Sequence, residues 1–205
     1  MRYTGPVCRL CRREGKKLFL KGARCQTQKC SFLRHSEVPG KYGKNVLGKK
    51  TEYYNQLRSK QAAKRIYGLS EKQFRAVFDI ANKRAGVVTA NFKQILEMRF
   101  DNVIFRAGFA DSRAAARQMA SHNSLRINDR RAMIPSRQLK VGDKISVKKT
   151  LLDSPIFARL NKQKETVSNW LKVNFEQGEI EIVGLPEESE AEPIDAQTII
   201  EFYSR

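Results

Sequence analysis

The chain has 205 residues, enough for one large domain or two small ones, each with its own core. Apolar residues make up 40% of it, which suits compact folding better than an enzyme built around a deep pocket, and no apolar run approaches membrane-spanning length. Lys and Arg number 40 against 21 acids, and the net charge of +19 exceeds what solubility requires; an excess of this kind raises affinity for polyanions through counterion release.

The charge is unevenly placed. The first 50 residues hold 14 basic and 2 acidic residues, whereas residues 151–205 hold 5 and 11. A polyanion is expected to meet the first three-quarters of the chain, with the acidic tail facing solvent or a basic neighbour. The opening stretch, Met1 to Pro6, lacks the apolar region of a signal peptide, so the expected compartment is the cytosol, where structural disulfides are rare.

Residues 1–50 are rich in Gly, Lys, Arg and Cys and show little helical periodicity. Thr51 is placed to cap a helix running to about Tyr67 and closed by Gly68, with Tyr54, Leu57, Ala62 and Ile66 near one side and Arg58, Lys60, Lys64 and Arg65 crowding the rest. Ser70-Glu71-Lys72-Gln73 reads as a capping box. It opens a helix with Phe74, Val77, Phe78 and Ala81 at core spacing, ending in Lys83-Arg84-Ala85-Gly86 as the helix dipole favours. Residues 87–91 read as a connection. A second unit begins near Phe92, where Ile95, Leu96, Phe100, Val103 and Ile104 predict one amphipathic helix ending at Gly108. Asp111 or Ser112 caps another helix through about Ser121, with Ala115, Ala116 and Met119 turned inward.

Short strands follow at Leu125–Ile127, Ala132–Ile134 and Lys144–Lys148, with turns at Asn128-Asp129 and Val141-Gly142-Asp143. Ser154 to Trp170 is expected to be largely helical, with Pro155 in its first turn. Leu171–Phe175 and Glu179–Val183 predict a hairpin around Gln177-Gly178. Pro186 and Pro193 bracket an acidic loop, and Thr198–Tyr203 reads as a short helix or an ordered tail. Phe74, Phe78, Phe100 and Trp170 are core by their spacing, and Tyr67 is read as a core ring rather than a base-stacking one. The expected organisation is a basic segment 1–50, a helical domain 51–90 packed with the tail 186–205, and a domain 91–185 whose core motif spans 97–150. The fold class is α+β.

All four cysteines fall in the first 30 residues, as Cys8-x2-Cys11 and Cys25-x4-Cys30 separated by thirteen residues. Four thiolates in two close pairs suit one tetrahedral ion. The segment is too basic and too poor in apolar residues to bury much core, and metal ligation supplies the missing folding energy. Zinc is the default ion, and a 4Fe–4S cluster is its competitor. His35 is read as an RNA or surface residue rather than a ligand.

The stretch Arg99-Phe100-Asp101-Asn102-Val103-Ile104-Phe105-Arg106-Ala107-Gly108-Phe109-Ala110, followed by Ser112 to Met119, Arg126-Ile127-Asn128, Ile134-Pro135-Ser136 and Val141 to Val147, resembles the small RNA-binding domain named after ribosomal small-subunit protein four. That resemblance implies an L-shaped surface of two helices and a small sheet set against folded RNA, reading shape more than sequence. The segment Tyr53 to Gly68 with Glu71 to Phe74, and the closing Ile200 to Arg205, resemble the rest of the bacterial-type ribosomal family itself, and the cysteine quartet resembles its metal-binding subset. The resemblance covers essentially the whole chain in order. Three departures are visible. His122-Asn123-Ser124 stands where the family usually has His-Gly-His, so Asn123 is expected at positive φ. Asn128-Asp129 replaces an Asn-Gly turn, and Tyr42 replaces a common His.

The family resemblance implies binding to the 5′ region of small-subunit rRNA at a junction of several helices, early in assembly. It also implies contact with ribosomal protein five, an influence on decoding accuracy and a position close to incoming mRNA. The residues expected to meet phosphates are Lys41, Lys44, Lys49, Lys50, Arg58, Lys64 and Arg65 in the first part, and Arg113, Arg117, His122, Arg126, Asn128 and Arg130 in the second. Two rivals are weaker. An RNA-modifying enzyme needs a further catalytic domain, yet the chain has no phosphate-binding glycine loop and only two histidines, His35 and His122. A free RNA chaperone or DNA-reading zinc protein is the other, but residues 31–50 offer no recognition helix after the ligands.

Overall fold

In the computed structural model, which describes residues 3–41, 43, 51–148, 152, 167–187 and 189–204, the helices in chain order are α1 (Cys8–Glu14), α2 (Ser31–Arg34), α3 (Glu52–Ile66), α4 (Glu71–Lys83), α5 (Val88–Glu97), α6 (Phe100–Arg106), α7 (Arg113–Ser121) and α8 (Ala196–Tyr203). The strands are β1 (Leu125–Ile127), β2 (Arg130–Arg131), β3 (Lys144–Val147), β4 (Leu171–Asn174) and β5 (Glu179–Ile182). The chain divides into two units, Met1–Phe92 with Glu192–Arg205, and Lys93–Ala191, and the division falls within α5. The class is α+β.

In the first unit the local signals act as their chemistry dictates. Thr51 Oγ1 accepts the Tyr54 N–H at 3.2 Å and caps α3. Gly68, at φ +64, closes α3 with the left-handed turn that a side chain would strain. The capping box at the start of α4 is complete: Gln73 N donates to Ser70 Oγ, and Ser70 N donates to Gln73 Oε1. Phe74, Val77, Phe78 and Ala81 are buried, and Phe74 meets Phe92 edge-on at 5.3 Å. Tyr67 is buried, as a core ring should be. The tail forms α8, capped by Asp195 accepting from Thr198 N at 3.1 Å, and it brings Tyr203 onto Phe78 with 5.0 Å between ring centroids.

Two readings of this unit are corrected. Residues 8–14 are helical although the segment shows little periodicity; the helix is about two turns long and Gly15 at φ +66 ends it. Lys60 is not on a solvated face. It is buried, with Nζ 2.8 Å from Glu71 Oε1 and 4.3 Å from the Phe202 ring centroid.

In the second unit, α6 and α7 cover one face of an antiparallel sheet ordered β2-β1-β3-β5-β4. Leu125, Ile127, Ile145, Val147, Ile180 and Ile182 alternate inward along the strands and meet Phe100, Val103, Ile104 and Phe109. Each of these large buried side chains contributes roughly 1.5–3 kcal/mol. Trp170 joins this core, as predicted.

Three boundaries differ from the sequence reading. The single helix expected over Phe92–Gly108 is two helices, and the first begins at Val88 inside the expected connection. The break lies at Arg99, whose backbone is extended (φ −72, ψ 139) and bridges to Gln138. The freed amides of α6 are then satisfied from outside: Phe100 N donates to Arg137 O at 2.9 Å and Asp101 N to Pro135 O at 3.0 Å. The strand expected at Ala132–Ile134 instead begins at Arg130. Asn128 (φ 47) and Asp129 (φ 62) make a two-residue turn, so Arg130 pairs Ile127 at once. Of the helix expected over Ser154–Trp170, residues 167–170 lead by a turn into β4, and residues 154–166 lie outside the described residues.

Candidate nucleic-acid interface

The junction of α5, α6 and α7 carries a dense polar network. Ser112 caps α7 by accepting the Ala115 N–H at 3.3 Å, which places Arg113 in the first helical turn and Arg117 four residues on, along the same face. Arg117 Nη1 donates to Asp101 Oδ2 at 2.9 Å. Asp101 also receives Arg99 as a two-point fork, at 3.1 and 2.9 Å. Arg113 Nε donates to Asn102 Oδ1 at 2.7 Å, and its guanidinium lies 4.4 Å from the Phe105 ring centroid. Asn102 Nδ2 donates to Glu97, and Arg106 forks onto the Glu97 carboxylate with both contacts at 2.8 Å. Glu97, Arg99, Asp101 and Asn102 are all buried. Three guanidiniums, of Arg99, Arg106 and Arg117, thus share two carboxylates while that of Arg113 rests on the Asn102 amide, and the assembly keeps a surplus of positive charge.

Sequence reasoning names Arg113 and Arg117 but gives no role to the buried residues that hold them. The signal is present in the motif Arg99-x-Asp101-Asn102, which places a cation, an anion and an amide around the start of α6.

The sheet adds an exposed basic strip. Arg126 and Arg131 are register partners on β1 and β2, and both are exposed with Arg130 beside them. Arg131 is a residue the sequence reading passes over, although the Arg130-Arg131 pair following the turn points to it. Asn128 has a different task. Its Nδ2 donates to Asp143 Oδ1 at 2.8 Å and its Oδ1 accepts Lys144 N at 2.9 Å, so its amide ties together two turns. His122 is exposed at the C-terminal end of α7. Asn123 follows at φ 55, the positive value that its position demands of a residue other than glycine.

In the first unit the predicted cations sit largely on α3 and are engaged there. Arg58 and Arg65 both donate to Oε1 of Glu14, a carboxylate with 1% of its side-chain surface exposed, Arg58 at 3.2 Å. Lys64 pairs with Glu71 at 3.0 Å, beside the buried Lys60. Burial acts to raise the Glu71 carboxyl, but hydrogen bonds from Lys60, Tyr203 and Lys64 overcome it and hold the group at about 2. Burial, followed by donation to Glu71, pushes the Tyr203 phenol well up. Lys41 is exposed; Lys44, Lys49 and Lys50 lie outside the described residues.

The cysteines sit on three short elements. Cys8 and Cys11 lie one turn apart on α1, Cys25 ends a 3-10 turn (Gly22–Cys25), and Cys30 immediately precedes α2. All four are free thiols, and Cys11, Cys25 and Cys30 are buried. Lys21 N donates to Cys25 Sγ at 3.3 Å. Burial pushes the Cys11 thiol up, the Leu18 backbone N–H pulls it down, and Cys25, Cys8 and Cys30 add a smaller upward push. Four soft sulfur donors have the chemistry zinc selects. As placed, however, no three or more His, Cys, Asp or Glu residues form a group able to hold a metal among the described residues. Among those residues, too, no helix is long and apolar enough to cross a membrane.

Comparison with known proteins divides the sequence near the end of α5. Residues 2–97 match the family described as ribosomal protein S4/S9 N-terminal domain, and residues 98–145 match the S4 domain. The chain is 48% identical over 207 residues to the small ribosomal subunit protein uS4 of Halothermothrix orenii, covering 100% of this chain and 99% of the relative. It is 47% identical over 206 residues to the protein of the same name from Desulfitobacterium hafniense (strain DSM 10664 / DCB-2), with the same coverage. The Dictyoglomus thermophilum protein of that name is 46% identical over 209 residues, again with 100% and 99% covered. With the S4-domain match lying over the arginine network and the relatives matched end to end, the chain belongs to the uS4 family of small ribosomal subunit proteins.

Proposed function

We propose that the protein is a structural constituent of the small ribosomal subunit that binds its rRNA, and not an enzyme. The observation that carries this reading is the coincidence of the S4-domain match, residues 98–145, with the helix pair and sheet strip that carry Arg113, Arg117, Arg126 and Arg130. A rigid surface of this kind neutralises phosphates brought together by folded RNA and favours that shape over extended strands. Its place is the cytoplasm, in the ribosome. The test is binding to a small-subunit rRNA transcript across a salt series, with footprinting of the bound RNA. Affinity falls steeply as salt rises, because many phosphates are contacted; a flat response opposes the reading.

Finer features follow from the family resemblance. The RNA target is the 5′ region of small-subunit rRNA, at a junction of helices, bound early in assembly. Lys41, Lys44, Lys49, Lys50, Arg58, Lys64 and Arg65 contribute from the first part, and Arg113, Arg117, His122, Arg126, Asn128 and Arg130 from the second. Ribosomal protein five is a neighbour, mRNA passes close by, and the protein influences translational accuracy.

Cys8, Cys11, Cys25 and Cys30 would hold Zn2+, or alternatively a 4Fe–4S cluster. The burial of three thiols in a strongly basic segment supports this. The ion would supply a cross-link between α1 and the residues around Cys25 and Cys30. Metal analysis of the purified protein distinguishes zinc, iron and neither.

A further inference from the structure

We infer that Asp101 and Asn102, adjacent buried residues of α6, are positioning residues for the two arginines that α7 presents to RNA; this rests on the rRNA-binding function proposed above. Asp101 takes the fork of Arg99, itself buried, and the two charges cancel. It then accepts one further hydrogen bond, from Arg117 Nη1 at 2.9 Å, so Arg117 is the surplus cation of the trio, with 22% of its side chain exposed. Asn102 is held from the other side. Its Nδ2 donates to the Glu97 carbonyl at 3.0 Å and to the Glu97 carboxylate, which turns Oδ1 toward Arg113 Nε. The Phe105 ring beneath the guanidinium fixes its plane.

Two consecutive residues therefore set two guanidiniums that stand one helical turn apart on α7. An unheld arginine must be ordered when it meets a phosphate, and that ordering subtracts from affinity. Arginines already set by Asp101 and Asn102 bind without that loss and present their forks in one geometry.

Charge counting and positioning make opposite predictions for Asp101. Asp101→Asn removes a negative charge beside a polyanion site, which by Coulomb's law alone strengthens RNA binding. Positioning predicts weaker binding, by about tenfold, as Arg99 and Arg117 lose their common anchor. The experiment measures the affinity of the full-length protein for small-subunit rRNA across salt, for wild type, Asp101→Asn, Arg117→Gln and the double variant, with circular dichroism to verify folding. The expected result is a loss in Asp101→Asn that disappears against Arg117→Gln, because the first residue acts through the second. Unchanged or tighter binding in Asp101→Asn, or additive losses, overturns the inference.

Should Asp101→Asn fail to fold, Arg117→Lys decides. It keeps the charge and loses the fork, so positioning predicts roughly a fivefold loss with little change in salt slope, and unchanged affinity overturns it. The matching cycle of Asn102→Ala with Arg113→Gln tests the second half by the same criteria. If wild-type protein fails to bind the RNA with a steep salt dependence, the rRNA-binding reading itself has failed. If wild type binds and the variants bind equally, only the positioning role has.

Discussion

The first 41 residues and the S4 domain solve the same problem, presenting positive charge on a stable scaffold, with opposite resources. The S4 domain lies in a unit that buries 20 residues in one apolar cluster, where the buried carboxylates of Asp101 and Glu97 and the Asn102 amide hold Arg99, Arg117, Arg106 and Arg113. Among the described residues 3–41 only Cys11, Leu18, Cys25 and Cys30 are buried, so three of the four residues shielded from water are thiols. The S4 domain has enough apolar surface to fold by burial. The cysteine segment does not; Glu14 ties it to Arg58 and Arg65, and the metal proposed for its thiols would add a second cross-link. The contrast teaches that density of charge says little about what holds the charge in place.

The sharpest break in this comparison is metal removal. Cys25→Ser, or exhaustive chelation, is expected to unfold residues 3–41 and leave the S4 domain intact, since the energy of structural metal binding is folding energy. Limited proteolysis followed by mass mapping of the cuts reads this directly. Unchanged protection of the segment would remove the metal from the account.

The converse experiment attacks the apolar core. Phe100 is fully buried, and Phe100→Ala should destabilise the S4 domain by about 3–5 kcal/mol through lost burial and the cavity left behind. Chemical denaturation followed by Trp170 fluorescence reports on this, because Trp170 lies in the same core cluster as Phe100. A loss below about 1 kcal/mol would mean that the domain repacks around the cavity.

How much of this was legible before the structure depends on the range of the interaction. The caps at Thr51, Ser70 and Ser112 rest on partners three residues away, and a reader of the sequence finds them, Ser112 as one of two candidates. The break at Arg99 is hidden because apolar spacing continues through Ile95, Leu96, Phe100 and Val103; the groups that end one helix and start the next are the carbonyls of Pro135 and Arg137. Lys60 looks like a surface residue by its type, and only Glu71 and the rings of Phe202 and Tyr203 explain its burial. Within the site, Arg113 and Arg117 are visible as charges, whereas their anchors at Asp101 and Asn102 are visible only as a motif.

Glu14 sharpens the comparison from the other side, because it is an ionic anchor within the cysteine segment, which lacks apolar bulk. Glu14→Gln leaves two guanidiniums without their carboxylate. Arg58 and Arg65 are each about one-fifth exposed, so water softens the loss to about 2 kcal/mol, below that of a fully buried pair. Thermal unfolding measures it, and the first part of the chain should melt earlier while the S4 domain is unmoved. Equal destabilisation of both would show that they unfold as one.

The smallest effect is a pH dependence confined to the contact of α8 with α3 and α4. Glu71 is held at about 2, below its ordinary 4.5, by Lys60, Tyr203 and Lys64 acting against burial. A depressed carboxyl stabilises the fold fully above its unfolded value and loses that contribution as pH falls from about 4.5 toward about 2. Glu71 is 46% exposed, so screening reduces the contribution to about 1 kcal/mol. Other carboxylates titrate in the same window, so the informative quantity is a difference between proteins. Wild type minus Glu71→Gln stability should be positive at pH 7 and shrink toward zero by pH 2, while the same difference for Glu181→Gln, in the exposed pair with Lys144 in the second unit, should be close to zero throughout. Retention of the full Glu71 difference at the acid end would mean that the carboxylate holds α8 by shape rather than by charge.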